Sequence, residues 1–152
     1  HKAAPDWTFG FNTSLAYKDW TLAMSAHANV GNYVYNNVNS DCDLLTDLWA
    51  NGFVNNRYHT AQEHNFATFA QYFSDLYVQD ASFLKIDNIT LSRNFRFNGG
   101  KAVPMNFSVF ATVQNVACIT GYEGIDPEIF SGIDNNMYPR PRTWILGVKF
   151  NF

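Results

Sequence analysis

The chain has 152 residues, a formal net charge of −3, only 15% charged residues and 17% aromatic ones, among them 14 Phe, 8 Tyr and 4 Trp. It has no basic run to neutralise phosphates, which argues against nucleic acid, and its two cysteines, Cys42 and Cys118, are too few to define a disulfide scaffold and leave one disulfide or, as the favoured reading, two free thiols. No stretch approaches the ~18 apolar residues of a transmembrane helix, which leaves membrane strands open, since those are short and alternate in polarity.

The sequence opens His1-Lys2, with neither Met nor signal peptide, so a piece cut from a longer exported chain is expected. The first predicted strand, about residues 7–18, places Trp7, Phe9, Phe11, Leu15 and Tyr17 on one side and Thr8, Gly10, Asn12, Ser14 and Lys18 on the other. A second strand, about 20–31, carries Trp20, Leu22, Met24, Ala26, Ala28 and Val30 against Thr21, Ser25, His27 and Asn29. A two-residue turn at Lys18-Asp19 makes the two apolar sides coincide, as a hairpin requires.

Residues 32–80 are rich in Asn and Asp, with a short helix expected around Leu44 to Ala50. About 49 residues between strands is far beyond ordinary loop length and marks a covering or functional loop. Within it, His59, Glu63 and His64 have a spacing that matches no zinc-protease motif, and they are read as solvated. The third strand, about 83–97, changes phase: Leu84 and Ile86 are apolar on one phase, Ile89, Leu91, Phe95 and Phe97 on the other. A bulge near Asp87-Asn88, or a start above the membrane, would explain the phase change. Asn98 to Pro104 reads as a turn.

The fourth strand, about 105–117, sets Phe107, Val109, Ala111 and Val113 against Ser108, Thr112 and Gln114, with Phe110 breaking the polar side. The loop at about 119–142 gathers Tyr122, Glu123, Asp126, Tyr138, Arg140 and Arg142, which could meet a sugar, a peptide or a lid by stacking and charge-assisted hydrogen bonds. The competing reading is a loop organised by Pro127, Pro139 and Pro141. The last strand, about 143–152, aligns Trp144, Leu146, Val148, Phe150 and Phe152.

Connections therefore run short, long, short, long, as in bacterial barrels with short periplasmic turns and long extracellular loops. Composition alone favours a soluble aromatic-rich carbohydrate-binding β-domain. The segregation of loop lengths favours an all-β, antiparallel transmembrane barrel segment, because a soluble meander has no reason to sort its loops by side. Asp75, Asp80 and Asp87 lack calcium-loop spacing, and no nucleophile elbow or phosphate loop occurs. No enzyme activity, cofactor or metal is expected.

Four segments carry a family resemblance: Pro5-Asp6-Trp7-Thr8-Phe9-Gly10-Phe11-Asn12; Asp80 to Leu91; Val113-Gln114-Asn115-Val116; and Gly132 to Phe152. They resemble the C-terminal end of SusC/RagA-like TonB-linked outer-membrane transporters of Bacteroidetes type. The resemblance implies the last five strands of a plugged barrel of about 22 strands, with residues 1–152 the C-terminal portion of the barrel domain. It also implies uptake of glycan or peptide in the Gram-negative outer membrane. The implied partners are the rest of the barrel and plug, a SusD-like lipoprotein, TonB through an N-terminal part, and lipid. Trp144, Leu146, Val148, Phe150 and Phe152 resemble the terminal signal for barrel assembly. Arg93 departs from the pattern, standing on the apolar side where the family commonly has an aromatic residue.

Overall fold

In the computed structural model, which describes residues 1–43, 72–97, 105–135 and 138–151, alternation becomes strand. In chain order the elements are β1 (Trp7–Tyr17), β2 (Trp20–Val30), β3 (Tyr33–Asn36), α1 (Asn37–Cys42), β4 (Val78–Asp80), β5 (Phe83–Phe97), β6 (Met105–Thr120), β7 (Ile133–Asp134) and β8 (Thr143–Asn151). The described residues are all-β apart from short helical turns. No described helix is long and apolar enough to cross a membrane, which says nothing about crossing by strands. The chain divides into two compact units, one built on the long strands and one on the long connections.

The strand unit is a five-stranded sheet in the order β1-β2-β5-β6-β8. β1 and β2 meet through Lys18 and Asp19, with Lys18 at φ 54°, the left-handed backbone that tight hairpin turns demand. β2 and β5 pair antiparallel, from Trp20 opposite Arg93 to Asn29 opposite Phe83. Ser25 faces Asn88 but Ala26 faces Ile86, so Asp87 is the extra residue of a β-bulge. That single insertion is the phase change seen in the sequence. It keeps Leu84, Ile86, Ile89 and Leu91 on one side, opposite Ala28, Ala26, Met24 and Leu22.

β5 and β6 are held by the Thr90–Thr112 hydroxyl pair at 2.8 Å and by Phe95 stacked on Phe107 at 4.8 Å; both pairs fit one antiparallel register. β6 runs on to Thr120, beyond the expected end at 117. β6 and β8 pair from Asn106–Asn151 to Gln114–Thr143. At that limit Asn115 turns left-handed (φ 55°), a backbone state asparagine tolerates better than most side chains. Its side-chain amide donates to the carbonyls of Arg140 (2.9 Å) and Pro141 (3.3 Å).

These registers line up the apolar residues of every strand. Phe9, Phe11, Leu15 and Tyr17 of β1, Leu22 of β2, Leu91 of β5, Val109 of β6 and Trp144, Leu146, Val148 and Phe150 of β8 are all exposed, Leu146 to 82%. An apolar face of that extent marks a surface that meets lipid or another protein. The opposite face is polar: Asn88 donates to Ser25 at 2.7 Å, and His27 bonds Asp87 at 2.8 Å. Ile145, opposite Thr112, and Phe110 are apolar residues on that face. Phe110 faces Gly147 across the β6–β8 pair, and a Cβ on Gly147 would lie 2.3 Å from its ring. The ring therefore covers the backbone that glycine leaves bare.

The connection unit gathers His1–Trp7, Val30–Ser82 and Thr120–Pro139. β3 is the centre of a small sheet, antiparallel to β4 and parallel to β7. Val34, Ala81 and Tyr122 form its buried core, with Ile129 packed against them. Asn36 caps α1, its side chain accepting from Asn39 N at 2.9 Å. The long connections thus carry folded structure of their own at β3, β4 and β7, where the sequence reads as polar loop. The helix expected near Leu44 to Ala50 lies outside the described residues, as do His59, Glu63, His64 and Phe152.

Candidate functional site

The six loop residues singled out in the sequence have different fates. Tyr122 and Asp126 are buried. The Tyr122 hydroxyl donates to Asp134 Oδ2 at 2.8 Å, and Asp126 Oδ1 accepts from Glu128 N at 3.0 Å. Both therefore build the loop from inside rather than present a surface to a ligand. A second pair of the same chemistry lies nearby in the chain's small sheet unit, where Tyr77 donates to Asp43 Oδ2 at 2.7 Å. Burial, and then that bond to Asp43, push the Tyr77 phenol well above the ordinary tyrosine range.

Glu123 and Tyr138 face solvent, Tyr138 with 87% of its surface exposed. Arg140 and Arg142 belong to the strand unit; the Arg142 guanidinium donates to the Val116 carbonyl at 2.8 Å. The terminal strand keeps Trp144, Leu146, Val148 and Phe150 exposed on a single side.

Glu123 lines an open polar recess of about 370 Å³ with Gln79, Asp80, Ser82 and Gly121. Gln79 Nε2 donates to Glu123 Oε2 (3.1 Å), and Glu123 N returns a bond to Gln79 Oε1 (3.3 Å). Asp80 Oδ1 accepts from Ser82 N at 2.8 Å, while the Thr120 hydroxyl donates to the Ser82 carbonyl at 2.8 Å. Two carboxylates, an amide and a hydroxyl are thus held at one rim by bonds between side chains and to backbone groups. Such a set can hydrogen-bond hydroxyls or attract a cationic group. Gln79 and Ser82 were not singled out from the sequence, and Asp80 was weighed there only as a calcium ligand and set aside for its spacing; the remaining signal was that Asp80-Ala81-Ser82 opens a family-like segment.

No family model matches the chain. It is 35% identical to the TonB-dependent receptor SusC of Bacteroides thetaiotaomicron across 99% of its own length and 16% of that protein's. It is 26% identical to the TonB-dependent receptor P3 of Formosa agariphila across 97% of its length and 16% of the relative's. Among solved structures, the RagAB peptide transporter superposes with a TM-score of 0.76 at 21% identity, covering 99% of this chain and 17% of that one. The same importer in its open-open state gives 0.74 at 22% identity. The chain therefore spans about a sixth of the length of the relatives it matches.

Proposed function

The chain belongs, over nearly its whole length, with the SusC/RagA-like TonB-dependent transporters, and from that premise we propose that it is a wall segment of an outer-membrane nutrient importer. In this reading residues 1–152 are the C-terminal portion of the barrel domain and supply its last five strands. The carrying observation is the two-faced sheet: one side apolar and exposed across all five strands, the other polar. Lipid on one side and a watery lumen on the other are the conditions that pattern fits. β1 and β8 stand at the sheet's margins with open hydrogen-bonding edges, which the remaining barrel strands would pair.

Strand direction supports the orientation. The antiparallel order sends both long connections off one end of the sheet and both short ones off the other, so the long ones are extracellular. The cargo would be a glycan or a peptide, delivered beneath a SusD-like lipoprotein and moved with energy relayed by TonB through parts of the protein beyond this segment. The solvent-facing rim at Gln79, Asp80, Ser82 and Glu123 is then the part of this segment placed to meet cargo or lid, with Tyr138, Arg140 and Arg142 as further contacts. Trp144, Leu146, Val148 and Phe150, with Phe152, would form the assembly signal. The mechanism is gated passage without covalent chemistry.

An antibody to residues 132–152 tests the reading in source cells. The expected product is far larger than 17.3 kDa, resides in the outer membrane and shifts in mobility between unheated and boiled samples. A soluble product at 17.3 kDa would overturn it in favour of a soluble binding domain.

A further inference from the structure

One charge stands on the apolar face. Arg93 is paired with Trp20 across β2 and β5, in line with Leu22 and Leu91, and it is exposed. Its guanidinium lies 5.0 Å from the Trp20 ring centroid and 4.8 Å from that of Phe95. Phe95 is stacked on Phe107 at 4.8 Å, and Phe107 meets Phe150 at 6.1 Å, so the charge stands between Trp20 and the end of an aromatic row of three rings. Trp20 directly follows the Lys18-Asp19 turn, and Asn94 N donates to the Asp19 carbonyl at 2.8 Å. Arg93 therefore lies at the short-turn end, where Lys18 also sits over the Tyr17 ring at 5.3 Å.

Among the described residues, no carboxylate lies within ion-pair distance of Arg93. A guanidinium cannot shed its charge, and aromatic rings stabilise it without neutralising it. On a face turned to lipid, the missing negative charge has to come from the membrane. The aromatic row fixes the depth, since such belts sit at the level of the headgroups. We infer that Arg93, flanked by Trp20 and Phe95, binds the phosphate of a phospholipid headgroup in the periplasmic leaflet. The planar fork of the guanidinium fits two phosphate oxygens at once, while the rings on either side hold the fork in place and pack against the glycerol and upper acyl chain. This inference rests on the barrel reading, which sets the apolar face against lipid and the short turns in the periplasm.

The test uses the intact transporter that carries this segment, purified from outer membranes, stripped of lipid by detergent exchange and examined by native mass spectrometry. Phosphatidylglycerol is titrated against diacylglycerol of the same chains, which lacks the phosphate, and inorganic phosphate is added as competitor. Arg93→Phe places an aromatic residue between Trp20 and Phe95 and so keeps the wall intact while removing the charge. Wild type should prefer phosphatidylglycerol by on the order of tenfold, the loss of one charge-assisted contact. Arg93→Phe should abolish that preference, and millimolar inorganic phosphate should not displace the lipid. Equal preference in both proteins would overturn the site, as would full displacement by inorganic phosphate, which would mark a bare anion contact. Heat-dependent mobility of the same samples reads the barrel separately. If wild type lacks that shift and the outer-membrane location, the barrel reading falls and the lipid site with it. If the shift is intact and lipid preference is absent, only the site falls.

Discussion

Residues 23 and 24 are neighbours in the chain at nearly one depth in β2, yet the registers put them on opposite faces. Met24 is opposite Ile89 on the apolar side, between the Leu22–Leu91 and Ala26–Ile86 pairs. Ala23 is opposite Thr90 on the polar side, the side on which Asn88 donates to Ser25. Near the middle of a membrane strand, a cation on the lipid face costs about 2–4 kcal/mol, whereas a flexible lysine on a watery face costs within about 0.5 kcal/mol. Met24→Lys should therefore shift the folding equilibrium by roughly 30- to 700-fold, and Ala23→Lys should barely move it. The assay is urea titration of the intact transporter in phospholipid vesicles, reading the folded fraction by heat-dependent mobility. Equal costs for the two variants would refute the assignment of faces. A larger cost for Ala23→Lys would reverse it.

Three further outcomes follow from particular contacts. Because the Tyr77 phenol is raised in the folded state, the fold binds that proton more tightly than the unfolded chain. The stabilisation is then full below the ordinary tyrosine value near pH 10 and is lost as pH rises above it. Tyr77→Phe should remove this alkaline loss and cost about 1–3 kcal/mol at neutral pH by taking a donor from buried Asp43, both read from unfolding across a pH series. Gly147→Ala should cost about 1–3 kcal/mol by overpacking against Phe110; adding Phe110→Leu should recover part of it, and additive costs in that double-mutant cycle would discount the contact. Asn115→Ala loses both the left-handed tolerance and two amide bonds, and should destabilise by about 1–2 kcal/mol. Asn115→Gly keeps the first and should cost less, so the reverse order in urea titration would refute the strain argument.

The wall was legible because period two is imposed by the backbone itself. Each strand must show one side to an apolar medium and the other to water, so a single chain segment such as Phe9 to Tyr17 declares its faces without knowledge of its neighbours. The irregularity at Asp87 left a trace as a change of phase, which a bulge or a start above the membrane would equally produce; the β2–β5 register decides for the bulge, which moves Leu84 and Ile86 into step with Ile89 and Leu91. Phe110 could not be read in this way. Its partner Gly147 lies on another strand, far off in the chain, and only the β6–β8 register joins the two. Asn115 was visible as part of a family-like segment, but its left-handed backbone and its hold on Arg140 and Pro141 were not.

The long connections concealed their fold for a chemical reason. β3, β4 and β7 have 4, 3 and 2 residues, too few for a period to show. Their interior is also not oily: Asn36, Ser40, Asp43 and Asp134 are buried beside Val34, Tyr77 and Tyr122. Such an interior works because a tyrosine brings ring area to bury and a hydroxyl that satisfies the carboxylate it carries inward. In sequence the same letters read as a solvated or ligand-binding loop, which is how Tyr122 and Asp126 came to stand among the candidate contacts. Side chains spent on internal bonds of this kind are poorly placed to discriminate cargo. If the connections contribute selectivity, it follows that the contribution comes from polar groups left at the surface, at Gln79, Asp80 and Glu123, and that exchanging those would alter recognition while exchanging the tyrosine–aspartate pairs would alter the fold that holds them.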